Sequence, residues 1–172
     1  QATYLKAMLY YNKGQKYDAI TQPDVQFDIK KAVAFCQDAI SRFPKSTGAL
    51  NAQNLIQAIK RPTISLTTEK VNVPAQPFRT LVKYKNTKTL YIRIIKTNRD
   101  EIKRIEKAGY DKVWPAMVNL KAVKSWSINL PDLSDYQEHS TEIKIDALPN
   151  GTYFILSSYS ADFSVAGNYL AR

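Results

Sequence analysis

The chain has 172 residues, 44% of them hydrophobic, and a formal net charge of +10, with a pI near 9.6. That length holds one large domain or a domain with an appendage, and no apolar run approaches the roughly 18 to 20 residues needed to cross a bilayer. A single cysteine, Cys36, excludes an internal disulfide and paired-thiolate metal sites, and a single histidine, His139, excludes a two-histidine metal site.

The first 61 residues are expected to be helical. Leu5, Met8 and Leu9, then Tyr17 and Ile20, give an apolar face near the helical period, interrupted at Gly14. Asp28 is placed to cap a second helix whose apolar side is Ile29, Ala32, Val33, Cys36, Ala39, Ile40 and Phe43, closed by Pro44. Within it Cys36 reads as a small buried apolar residue. Ser46 caps a third helix, and Leu50, Leu55, Ile56 and Ile59 lead to Pro62, where helix gives way to strand. Gly14, Tyr17, Ala19 and Ile20, followed by Ala32, Ala39 and Pro44, resemble part of a tetratricopeptide repeat. Residues 21–27 intervene and no second repeat follows, so a helical hairpin plus one helix is expected, packed on a β domain or another neighbour.

After Pro62 the period becomes two. Ile64 and Leu66 begin a first strand, Val71 and Val73 continue it, residues 81–84 form a second and residues 90–95 a third, with residues 85–88 as the turn between the last two. Residues 99–108 break the rhythm, with Ile102 and Ile105 three apart and Gly109 as a stop, predicting an inserted helix on the edge of a sandwich. Residues 121–130 return to strand, with Val123, Trp126 and Ile128 as core candidates.

Residues 141–160 read as two strands and one tight turn. Ile143, Ile145 and Ala147 alternate with Lys144 and Asp146, Leu148-Pro149-Asn150-Gly151 reverses the chain, and Tyr153, Ile155 and Ser157 resume the alternation. That pattern predicts a hairpin in an antiparallel sheet with one wet face. Leu148, Pro149, Gly151 and Tyr153 also have the spacing of the tyrosine corner of immunoglobulin-like and fibronectin-like sandwiches, an architectural feature that specifies no reaction. Residues 161–172 mix Phe163, Val165 and Leu170 with Gly167 and Asn168, so the chain is expected to stop before or within its last strand, leaving an unpaired sheet edge.

The positive charge invites a nucleic acid or an anionic surface. Residues 1–61 carry nine basic and four acidic side chains, residues 70–124 fourteen and four, and residues 125–172 two and six. Opposite charges can therefore face each other on neighbouring antiparallel strands. No zinc-finger spacing, helix-turn-helix signature or aromatic RNP strand accompanies the basic residues, and nucleic acid is not expected as a partner. An anionic-ligand site on Lys83, Lys85, Lys88, Arg93 and Lys96 is a rival reading.

Enzymatic chemistry finds little support. GxGxxG, Walker, GxSxG and HExxH patterns are all missing. Asp135, Glu138 and His139 could ligate a metal but sit in a polar stretch that reads as a hydrogen-bonded loop, and Asp100, Glu101 and Glu106 alternate with Lys103, Arg104 and Lys107 as on a solvated helix face. Trp126 is expected in the core, whereas Trp114 and the eleven tyrosines leave open a sugar-binding platform. No catalytic, metal or cofactor residue is assigned and the chain is expected not to be an enzyme.

Residues 39–62 (AISRFPKSTGALNAQNLIQAIKRP), 81–95 (LVKYKNTKTLYIRII) and 125–158 (SWSINLPDLSDYQEHSTEIKIDALPNGTYFILSS) together resemble the N-terminal region of bacterial alpha-2-macroglobulin-like proteins of the Bacteroidetes type. The resemblance implies a helical segment followed by a first macroglobulin domain, which is a fibronectin-like sandwich. It further implies a periplasmic or cell-envelope protein, exported as a lipoprotein, that traps or inhibits attacking proteases. The family's Cys-Gly-Glu-Gln thioester does not occur here, and Cys36 lies in no such motif.

The expectation is therefore an α+β chain: helices at 1–61 and a fibronectin III-like antiparallel β-sandwich at 62–172. It begins with Gln1 and shows no signal peptide, as expected of an excised piece of a longer, processed protein. Its partners would be neighbouring domains of the same longer chain and, through the parent protein, proteases. Membrane contact would come only through an anchor outside the segment. The alternative is an autonomous envelope module that binds a glycan or a protein.

Overall fold

The structure is a computed structural model describing residues 2–69, 73, 75–165 and 167–171. It is α+β, and the chain forms two compact units, one of Gln1–Pro62 with Asp132–Glu138, the other of Thr63–Pro131 with His139–Arg172. A stretch expected within the sandwich, Asp132–Glu138, thus belongs to the helical unit.

The helical unit contains α1 (Ala2–Gly14), α2 (Asp28–Arg42) and α3 (Thr47–Lys60), with a short 3-10 turn at Pro23–Val25. Ser46 caps α3 as expected, its hydroxyl accepting from the Ala49 amide at 3.1 Å. Asp28 is not a cap. Phe27 takes that position and its side chain makes no capping bond, while Asp28, the first helical residue, is buried, accepting from Lys31 Nζ at 2.7 Å with Lys13 Nζ at 3.6 Å. The acid sits at the positive end of the helix dipole, where it is favoured without being the cap.

The apolar face expected on α1 is also corrected. Leu5 and Leu9 are exposed and Ile20 is 91% exposed, whereas Ala7 and Gly14 are buried. A Cβ on Gly14 would lie 2.6 Å from Ile29 Cγ1 and 2.8 Å from the Ile29 amide nitrogen. Close helix approach through small residues, and not burial of the large ones, sets this contact. Ile29, Ala32, Val33, Cys36 and Ala39 of α2 are buried as expected, while Phe43 and Leu50 are exposed and Ala49 and Ala52 take the buried positions of α3.

The second unit is a two-sheet sandwich of β1 (Thr63–Thr68), β2 (Phe78–Lys85), β3 (Thr89–Thr97), β4 (Lys124–Asn129), β5 (His139–Ile145), β6 (Thr152–Ser158) and β7 (Asn168–Ala171). The sheets run β1-β2-β5 and β4-β3-β6-β7, antiparallel throughout. That is the seven-strand order of fibronectin-like sandwiches. Leu66, Val82, Tyr84, Ile143 and Ile145 meet Leu90, Ile92, Ile94, Tyr153 and Ile155 between the sheets.

The expected hairpin at 141–160 is a crossing between sheets, since β5 and β6 lie in different ones. The Tyr153 hydroxyl donates to the Pro149 carbonyl oxygen at 2.9 Å, the bond the corner spacing predicts. The wet face expected for β6 is covered too, because Tyr153 to Ser158 are all buried. Its second face packs under two helices between β3 and β4, α4 (Arg99–Glu106) and α5 (Tyr110–Val118). Ile95, Phe154 and Leu156 meet Ile105, Met117 and Phe163 there. Each such side chain removed from water contributes about 1.5 to 3 kcal/mol.

The insertion expected on the edge therefore lies on the face of the β4-β3-β6-β7 sheet, and α5 was not foreseen. Asn98 caps α4, its side-chain oxygen accepting from the Glu101 amide at 2.9 Å. Val123, expected in the core, is exposed, while Trp126 and Ile128 pack against the core between the sheets. Residues expected to hold at most part of a last strand form β7, which pairs with β6 through four residue pairs from Phe154↔Ala171 to Ser157↔Asn168. The Asn168 side chain also accepts from the Leu66 amide of β1 at 3.1 Å. Of the continuation expected after β1, Val71 lies outside the described residues and Val73 is exposed and in no strand.

Candidate functional site

Cys36, His139, Asp135 and Trp114, singled out by sequence chemistry, each have packing or hydrogen-bonding partners. Cys36 is fully buried among Ala7, Ala39 and Ala52, and burial pushes its thiol pKa up. It is the opposite of an activated nucleophile. His139 opens β5 opposite Tyr84, ring centroids 6.0 Å apart, and does not lie in a loop.

The Asp135 carboxylate accepts from Gln26 Nε2 at 2.9 Å and from the Gln137 amide at 3.0 Å. Gln137 in turn donates through Nε2 to the carbonyl oxygens of Gly14 at 3.0 Å and Gln26 at 3.1 Å, and Tyr136 packs near Ile29, Val33 and Ile59. These bonds tie the segment after β4 to backbone carbonyls of the helical unit. Sequence reading missed this node. Its only trace was a polar run too rich in Asp, Gln and Glu to be read as packing. Among the described residues no group of three or more His, Cys, Asp or Glu residues could hold a metal ion.

Trp114 is not a free platform. Its indole Nε1 donates to the Phe163 carbonyl oxygen at 2.9 Å, its ring stacks on Phe163 at 6.2 Å, and the Arg93 guanidinium lies 4.1 Å from the Phe163 ring centroid. These three side chains anchor α5 and the β6–β7 connection onto β3. Aromatic and cation–π contacts of this kind are worth roughly 0.5 to 2 kcal/mol each. Tyr110 is the one fully exposed tyrosine among the described residues.

The five basic residues of the anionic-ligand reading are divided between the two sheets and the turn between β2 and β3, where Lys88 lies. Lys83 and Lys85 lie on β2 in one sheet, while Arg93 lies on β3 in the other beside Phe163. Charge pairing between early and late segments is present instead. Arg79 of β2 meets Glu142 of β5 at 2.7 Å, and Lys124 of β4 pairs with Asp146 after β5, holding the Asp146 carboxyl below the usual carboxylate range. Asp100 and Glu101 fall in the first turn of α4, and Glu101 pairs with Arg104 at 2.5 Å on its exposed side.

No helix among the described residues is long and apolar enough to cross a membrane. No family model matches the sequence, and no curated protein matches it.

Proposed function

We propose that this chain is a non-catalytic structural module of a bacterial alpha-2-macroglobulin-like envelope protein, part of the scaffold of a broad-spectrum protease trap. The observation that carries the reading is where the family-like segments fall. Residues 39–62 run through the end of α2 and all of α3, residues 81–95 through β2, the sheet-crossing turn and β3, and residues 125–158 from β4 to the end of β6. Each holds packing, capping or corner residues and no convergent reactive groups, as a scaffold would. The fold supports the reading only as architecture, since many unrelated proteins use fibronectin-like sandwiches.

In this reading the partners are neighbouring domains of the same longer polypeptide. Attacking proteases are met through the parent protein, in the periplasm or at the cell envelope, and any membrane attachment is by a lipid anchor elsewhere in the parent. Engagement of Trp114 by Phe163 counts against the alternative of an autonomous glycan-binding module. The test is to purify the complete gene product and incubate it with trypsin. A trap removes activity on casein while sparing a small chromogenic peptide, because an enclosed protease excludes only large substrates. Equal activity on both substrates, with and without the gene product, would reject the proposal.

A further inference from the structure

We infer that Asn150-Gly151, at the corner between β5 and β6, is a site of spontaneous deamidation and isomerisation. It is the only Asn-Gly pair in the sequence. Both residues are exposed, and no hydrogen bond among the described residues uses the Gly151 amide. With no side chain on Gly151, that nitrogen is open to approach the Asn150 side chain. The Gly151 nitrogen attacks Cγ of Asn150, a new N–C bond closes a succinimide, and the Cγ–Nδ2 bond of Asn150 breaks. Ammonia leaves, and the proton given up by the Gly151 amide balances it. Water then opens the ring at either carbonyl, giving aspartate or isoaspartate, with no oxidant or cofactor.

Two neighbours give the site its setting. Lys96 Cε lies 3.3 Å from the place a Cβ on Gly151 would occupy, so the Lys96 side chain passes against Gly151 and brings a positive charge to the region where the nitrogen loses its proton and the carboxylate forms. Tyr153 holds Pro149, the residue just before the site, at 2.9 Å, so isoaspartate, with its lengthened backbone, would form between the two halves of the tyrosine corner. The chemistry therefore links a slow covalent change to the feature that turns the chain from one sheet to the other.

The test holds the full protein at mildly alkaline pH, folded and in parallel unfolded in urea, and follows the tryptic peptide containing residue 150 by mass spectrometry and isoaspartyl methyltransferase labelling. The expected result is conversion at Asn150 in the folded protein at a rate close to that of the unfolded protein, and none at this position in Asn150→Gln. Lys96→Met should slow the folded protein by about two- to fivefold, the rate equivalent of a surface charge interaction, and leave the unfolded rate unchanged. Folded-state conversion slower than unfolded by about tenfold or more would overturn the site, because the corner would then be protecting it. Equal folded rates for Lys96→Met and the natural protein would overturn the part assigned to Lys96.

Discussion

The Tyr153 ring is buried between the sheets while its hydroxyl reaches back to the Pro149 carbonyl, so one residue serves both core and corner. Tyr153→Phe keeps the ring and removes the bond. It should cost about 1 to 2 kcal/mol in urea unfolding, and an unchanged midpoint would show that the corner bond contributes nothing. Cys36 makes a second prediction at this scale. With the thiol buried and its pKa raised by that burial, a disulfide reagent such as DTNB should modify it slowly in the folded protein and readily in urea; rapid reaction in the folded protein would contradict the packing described. Asp162 makes a third. The Ser160 hydroxyl first, then the Ser164 amide and hydroxyl, hold its carboxyl down at about 2. A folded value below the unfolded one favours the fold above the unfolded pKa, and that contribution is lost as pH falls through about 2. A carboxyl-carbon NMR titration should show no inflection for Asp162 near the ordinary value of about 4.

Among the elements, β7 depends on the closest backbone approach found at any described glycine. A Cβ on Gly167 would lie 1.9 Å from the Ser157 carbonyl oxygen. Next to it the Ser157 hydroxyl donates to the Asn168 carbonyl at 3.1 Å, and the Ser158 hydroxyl to that of Val165 at 3.1 Å. Gly167→Ala should force β7 from β6 and cost about 3 kcal/mol, with amide hydrogen exchange rising first at β7; wild-type exchange there would refute the contact. Ser46→Ala should cost about 1 kcal/mol through loss of the α3 cap. The same elements show what sequence could and could not tell. Strands β2, β3 and β5 were legible because apolar and polar residues alternate, and α3 because Ser46 and Pro62 bracket it. Strand β6 hid its second buried face because Tyr, Phe, Ile and Leu in succession carry no alternation once helices cover the sheet. Helix α5 was missed because the residue before a proline disfavours helix, yet Trp114 and Pro115 both lie within it. On α1, pattern reading weights large residues, whereas the contact is made by Ala7 and Gly14.

For the whole molecule, charge asymmetry along the sequence became pairing between early and late segments, across paired strands in Arg79–Glu142 and between β4 and the residue after β5 in Lys124–Asp146. Exposed pairs like these contribute about 1 kcal/mol or less, so the sandwich rests on the buried side chains between and outside its sheets. The attachment of Asp132–Glu138 to the helical unit was illegible, because Gln137 reaches Gly14 and Gln26 across more than a hundred residues and no local rule connects them. The proposed function rests on a resemblance alone, since the residues that carry that resemblance build turns, caps and cores. The measurement that bears most directly on the proposed role is the sequence of the parent reading frame beyond Arg172. A run of further sandwich-length domains, with or without a Cys-Gly-Glu-Gln motif, is the result the scaffold account predicts. A stop codon within a few tens of residues would contradict it and leave a module that acts alone.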